Sequence, residues 1–292
     1  MRINSNVIGL ALAGVGALVF GSLLTLAGYI AFAEPAPPPT SASTMPPSGG
    51  TARGDLAASP RRGEFVDVEL PGSRVPIRTW VVYPERSDPA PVILVIPDMY
   101  RLSNWVRAVA DQFAAEGFIA VAPDLWTGVA PEDQRFTVPE TWILRPRRII
   151  TPLERTSLLN AVRTWALDLP AASGRLGTVG FGWGGSASFA YAVDQPELDA
   201  AVVFYGSTPG DGPYYTQINA PVLGLYGGDH DAVLTVSLAT EAMAAAGKSF
   251  EAVVYDGATV FLKAQEGLDA NRRATEDAWP RTLAFLREHL EG

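Results

Sequence analysis

The sequence predicts an α/β domain, with a mainly parallel sheet carrying helices on both faces. Three observations predict it. Continuous apolar runs at 91–96, 118–122, 200–205 and 221–226 have the length and composition of strands buried on both faces. Stretches of helical periodicity alternate with them. The run Val179-Gly180-Phe181-Gly182-Trp183-Gly184-Gly185 places a tight glycine turn between a short apolar strand and an Ala/Ser-rich helical segment, 186–193. That is the strand–turn–helix setting of a nucleophile elbow, G-x-Nuc-x-G. Its central position here is Gly182, which has no side chain to attack with.

Bulk composition narrows the class. Apolar residues are 48% and charged residues 18%, the balance of a globular chain. The net charge of −9 excludes a nucleic-acid surface, because no excess of Lys and Arg exists to neutralise phosphates. The chain has no cysteine, which removes disulfides, Cys-based metal sites and a Cys nucleophile together. Its only histidines are His230 and His289.

Taken in order, the chain opens with an uncharged apolar run at 7–33, preceded by a single basic residue, Arg2. The run exceeds a secretory h-region and reaches the length of a membrane-spanning helix. It predicts an uncleaved anchor at the cytoplasmic membrane, N-terminus inside and domain on the outer face. Ala31-Phe32-Ala33 before Glu34 supplies the alternative, secretion after cleavage at Ala33. Gly9, Ala13, Ala17 and Gly21 recur every four residues and stack on one helix face. Small residues so spaced let another membrane helix approach, so a membrane-protein partner is an expectation. Residues 34–62 are Pro-rich and poor in large apolar side chains, and predict an extended spacer. Residues 63–292 form the domain.

Within it, 64–70 and 77–83 read as two antiparallel opening strands around Pro71-Gly72. Ser103 caps a helix running to Glu116, and Gly117 stops it. The stretch 126–151 is irregular and holds the basic patch Arg145-Pro146-Arg147-Arg148. Helical periodicity returns at 153–169, followed by the strand 176–181 and the elbow. A helix at 234–246, a last strand at 250–255 and a closing helix at 272–290, kinked at Pro280, complete the pattern.

Several segments resemble one family in the same order. They are Ile96-Pro97-Asp98-Met99-Tyr100, the helix from Val109 to Gly117, Ala122-Pro123-Asp124-Leu125, Ala201-Val202-Val203-Phe204-Tyr205-Gly206, Pro221-Val222-Leu223-Gly224-Leu225-Tyr226-Gly227 and Tyr255-Asp256-Gly257-Ala258. Together with the elbow they make the chain similar to the dienelactone hydrolases. The resemblance implies the α/β-hydrolase fold over nearly all of 64–290 and a hydrolase ancestry. It also implies a catalytic Cys where this chain has Gly182, and a His where it has Val260. The acid falls at Asp229 or Asp231, Asp98 replaces a Glu, and the backbone amides of Met99 and Trp183 become the oxyanion donors.

Without nucleophile and base there is no acyl-enzyme. One reading is therefore a catalytically degenerate, membrane-tethered protein that acts as a binding or accessory subunit. The other is an active hydrolase of small esters or lactones, rearranged around Asp98, Asp231 and His230. A third keeps the cleft, with Trp183 and Tyr205 in its wall, as a site for a small-molecule ligand. Ser186 and Ser188, beyond the elbow, are read as helix-surface residues. His230 between its two carboxylates reads as a loop residue or a weak metal ligand. No cofactor and no metal is expected.

Overall fold

The computed structural model describes residues 45–128, 150–210 and 213–292. The predicted anchor with Gly9, Ala13, Ala17 and Gly21 lies outside the described residues, as does the patch at 145–148. Among the described residues no helix is long and apolar enough to cross a membrane.

Eight strands form one sheet in the order β1-β2-β4-β3-β5-β6-β7-β8. Strand β1 (Glu64–Val68) pairs antiparallel with β2 (Ile77–Val82), and β2 pairs antiparallel with β4 (Ile119–Pro123). From β4 onward all pairs are parallel, through β3 (Ala90–Ile96), β5 (Ala172–Phe181), β6 (Ala200–Phe204), β7 (Val222–Gly227) and β8 (Phe250–Tyr255). The apolar runs are explained by this burial. In β3, Val92, Leu94 and Ile96 enter one core while Ile93 and Val95 enter the other. Helices α3 (Pro152–Leu167), α4 (Trp183–Asp194) and α5 (Val236–Ala245) cover the first face. The second face is covered by α1 (Ala52–Ala58), α2 (Asn104–Ala115) and α6 (Asp269–Leu290).

The helix starts follow local chemistry. Ser103 Oγ accepts the Val106 amide at 3.3 Å, as a cap residue should. Thr151 and Glu154 make a reciprocal capping box ahead of Pro152. Several boundaries differ from the sequence expectation. Helix α4 begins at Trp183 rather than 186, because Gly184 and Gly185 are helical. A Cβ on Gly184 would lie 2.2 Å from the Ile96 carbonyl oxygen, so a close approach to β3 fixes glycine there. Helix α5 starts later than expected, since Asp231–Thr235 is a 3₁₀ turn. The closing helix begins at Asp269 and continues through Pro280 to Leu290.

The spacer expected over 34–62 is corrected from Met45 onward. Residues 45–61 are a strap folded onto α2 and the loop before α6. The Pro47 carbonyl accepts Trp105 Nε1 at 3.0 Å, and the Pro46 carbonyl accepts Gln265 Nε2 at 2.9 Å. The Gly49 amide donates to the Lys263 carbonyl at 2.8 Å, and Ser48 Oγ bonds the Glu266 carboxylate. Asp111 receives Ser59 Oγ at 2.7 Å and Arg61 Nη2 at 3.0 Å. Proline carbonyls and a buried Ala52 hold the strap, and such groups leave no signal in a search for large apolar residues.

The registers Ile96↔Gly180, Phe181↔Phe204 and Gly227↔Tyr255 align the carboxyl ends of the central strands. The loops carrying Asp98, Gly182, Tyr205, His230 and Val260 all leave the sheet at that edge. This is where open α/β sheets place their sites.

Candidate active-site cleft at the elbow

Gly182 stands at the tip of the turn from β5 to α4 with φ +53° and ψ −115°. Its amide donates to the Phe204 carbonyl at 3.0 Å, and its carbonyl accepts the Ser186 amide at 3.0 Å. A Cβ placed on it meets no atom within 4 Å. The elbow is therefore built to project a side chain into open space, and the residue there has none. The positive φ suits glycine, since other L-residues store strain there.

The serines beyond it separate. Ser186 is half-buried, with its Oγ 3.5 Å from the Gly182 carbonyl oxygen. Ser188 is no surface residue. It is fully buried, shares a hydrogen bond with Thr178 Oγ1 at 2.8 Å, and donates to the Val202 carbonyl at 3.0 Å.

Asp98 lies in the loop after β3 and is 9% exposed. Its Oδ1 accepts the Tyr100 amide at 2.9 Å, and its Oδ2 accepts Lys263 Nζ at 2.8 Å. The Lys263 ammonium also sits 4.1 Å from the Tyr100 ring centroid, a cation–π contact. This carboxylate is thus neutralised within the cleft wall. Sequence reasoning missed Lys263; its one signal was rarity, as one of two lysines in the chain. The buried ion pair of Arg101 with Asp124 was missed as well. It ties the loop after β3 to the loop after β4, where Asp124 Oδ1 also accepts the Trp126 amide at 3.2 Å.

The Met99 side chain is 45% exposed on the rim, in a turn closed by the Arg101 amide donating to the Asp98 carbonyl at 3.1 Å. Trp183 is half-buried and packs on Trp126 with ring centroids 5.1 Å apart. Tyr205, just past β6, has φ +40°, rare for a residue with a Cβ. Its ring packs on Phe261 at 5.4 Å and on His230 at 5.9 Å. Its hydroxyl is buried with no hydrogen-bond partner among the described residues. Burial, and then the Asp98 charge, push that phenol well above its ordinary pKa, so it stays protonated.

His230 reaches the same edge but is engaged as a cap. Its Nδ1 accepts the Ala232 amide at 3.2 Å at the start of the 3₁₀ turn. Asp229 and Asp231 on either side are both exposed. Among the described residues, no cluster of three His, Cys, Asp or Glu side chains is placed to hold a metal ion. Val260 is 37% exposed, in a loop fixed by Asn271. Asn271 accepts the Thr259 amide at 2.8 Å and donates to the Ala264 carbonyl at 3.0 Å. That loop would hold a side chain at 260 steadily, and the side chain is an unreactive isopropyl group. His289 packs on Phe285 near the end of α6, with ring centroids 4.6 Å apart.

Two cavities lie away from the elbow. One of about 710 Å³ is bordered by the strap, α2 and α6, and one of about 360 Å³ sits beside the β1–β2 turn and the start of α3. Neither is lined by Gly182, Asp98 or Tyr205.

Several proteins similar to this chain carry hydrolase names. A protein named "Putative carboxymethylenebutenolidase" from Escherichia coli K12 is 28% identical over 237 residues, covering 77% of this chain and 86% of the relative. Its namesake from Salmonella typhimurium is 30% identical over 218 residues, covering 70% and 80%. The crystal structure of a dienelactone hydrolase from Anabaena variabilis superposes with a TM-score of 0.60 at 19% identity. It covers 80% of this chain and 100% of that one. A Klebsiella pneumoniae protein described as "Putative Dienelactone Hydrolase" gives 0.65 at 24% identity, covering 78% and 98%. At those identities the structures show the fold alone. The sequence profile of the dienelactone hydrolase family matches residues 77–290, the whole sheet but for β1 together with all the helices that follow, and the chain belongs to that family.

Proposed function

We propose that this protein binds without hydrolysing: a dienelactone-hydrolase-family domain whose elbow holds no nucleophile. Its N-terminal apolar run would tether it to the outer face of the cytoplasmic membrane, as an accessory subunit beside another membrane protein. The observation that carries the reading is Gly182, in elbow geometry with open space above it. Val260 in the fixed loop, and a His230 whose Nδ1 is spent on a cap, support it by leaving no evident base. Backbone donors alone sustain only weak catalysis.

The relatives' names favour a second reading, a working hydrolase of small esters or lactones centred on Asp98, Asp231 and His230. Steady-state assays of the full-length protein on an ester and lactone panel separate the two. The expected result is no saturable turnover, with His230→Ala indistinguishable from wild type. Saturable turnover lost in His230→Ala establishes the second reading instead. Gentle detergent extraction tests the accessory role. It should retain a stoichiometric partner that is lost when Gly9, Ala13, Ala17 and Gly21 become Leu.

A further inference from the structure

The sheet ends in two edge strands, and the sequence treats them differently. Strand β1 carries Glu64 and Asp67 and is followed by Glu69, the kind of charge with which native edges resist pairing. Strand β8, Phe250-Glu251-Ala252-Val253-Val254-Tyr255, carries a single charge. That charge is engaged by α6, where Arg281 Nη1 donates to Glu251 Oε1 at 3.1 Å.

The backbone shows which groups of β8 remain open. The Val222 amide donates to the Ser249 carbonyl at 3.1 Å, and the Gly228 amide to the Tyr255 carbonyl at 2.8 Å. Within a strand the N–H and C=O of one residue point the same way, and those of its neighbours point oppositely. Ser249, Glu251, Val253 and Tyr255 therefore turn their backbone toward β7, while Phe250, Ala252 and Val254 turn theirs off the sheet. Among the described residues no hydrogen bond reaches these outward groups. The side chains of the same three residues are only partly buried, on the face that α5 covers, so an apolar margin accompanies the open backbone.

A second copy of this strand matches the edge in both register and charge. Lys248 and Asp256 flank β8, each four positions from Ala252. When two copies lie antiparallel about a twofold axis at Ala252, that residue faces itself and Phe250 faces Val254. These are the pairs that exchange N–H···O bonds, because their backbones are the outward ones. The same register sets each Lys248 opposite Asp256 of the other copy, an opposite-charge cross-strand pair at both ends. Asp256 is exposed, and Lys248 Nζ makes a long 3.4 Å contact with Asn219 Oδ1 that a carboxylate would replace. We infer that β8 is a homodimerisation edge, joining two eight-stranded sheets into one continuous sheet.

The test uses full-length protein in mild detergent, by sedimentation velocity over a dilution series and by carbodiimide coupling with peptide mapping. Dimers should form as concentration rises and should give a Lys248–Asp256 cross-link. Within one chain these residues stand at opposite ends of an extended strand, on the order of 20 Å apart, so that link reports a second copy. Ala252→Pro should abolish the dimer and leave the fold intact, because the N–H it removes lies outside the β7 ladder. Lys248→Glu should weaken the dimer about tenfold, since both ends become repulsive, and adding Asp256→Lys should restore it. If circular dichroism shows Ala252→Pro misfolded, the charge reversal and its rescue decide alone. A monomer at every concentration overturns the inference. So does a dimer that lacks the cross-link or is unmoved by the charge reversal, as one held by the N-terminal run would be.

Discussion

Single residues at the cleft divide into those that shape it and those that would do chemistry. Gly184 is fixed by its 2.2 Å approach to the Ile96 carbonyl, whereas Gly182 is under no such pressure from neighbours. Only its positive φ favours glycine, and the elbow tolerates other residues at that conformation in hydrolases by design of the turn. The absence of a side chain at 182 is thus a chemical difference that packing does not compel. Buried phenols give this scale a prediction. Burial pushes Tyr191 up to about 12, and raises Tyr205, Tyr226 and Tyr255 as well, Asp277 adding to the effect on Tyr255. Each folded pKa lies above the unfolded value of about 10, so the unfolded chain releases these protons first. Their contribution to stability is complete below pH of about 10 and is lost as pH rises through the folded values. A titration followed at 295 nm and by circular dichroism should show these tyrosinates appearing only together with unfolding. Their ionisation in a still-folded protein would contradict the packing described.

At the scale of elements, much was legible because burial on both faces writes itself as unbroken apolar runs. Strands β3, β4, β6 and β7 were readable for that reason, α2 was readable from Ser103 and its periodicity, and α3 from periodicity alone. The strap was not. Its hold depends on the carbonyls of Pro46 and Pro47 and on Asp111, groups whose partners lie far along the chain. The same holds for the cleft. Gly182 and Val260 were visible as substitutions in a recognisable pattern. The pairing of Asp98 with Lys263, 165 positions away, and the unpartnered Tyr205 hydroxyl exist only in three dimensions. The strap has a consequence of its own. Asp111→Ala leaves the Arg61 guanidinium, 14% exposed, without this partner and frees Ser59. Urea unfolding should report a loss of about 1–3 kcal/mol. A change below about 0.5 kcal/mol would mean that the strap does not hold the domain in solution.

At the scale of the molecule, the strap joins two ends of the account. It is the part of the domain nearest in sequence to the proposed tether, and it bonds the loop that carries Val260 and Lys263 through Gly49 and Ser48. The net charge of −9 and the single-sheet hydrolase architecture are compatible with either binding or catalysis, so the whole-molecule features do not choose between them. The choice rests on whether the cleft contains an activated nucleophile. Incubating the full-length protein with a fluorophosphonate and reading its intact mass and peptide map asks this directly. The account predicts no stoichiometric adduct anywhere in 181–188 or elsewhere along the cleft. One adduct per chain on Ser186, or on any other cleft residue, would show a nucleophile at work and contradict it.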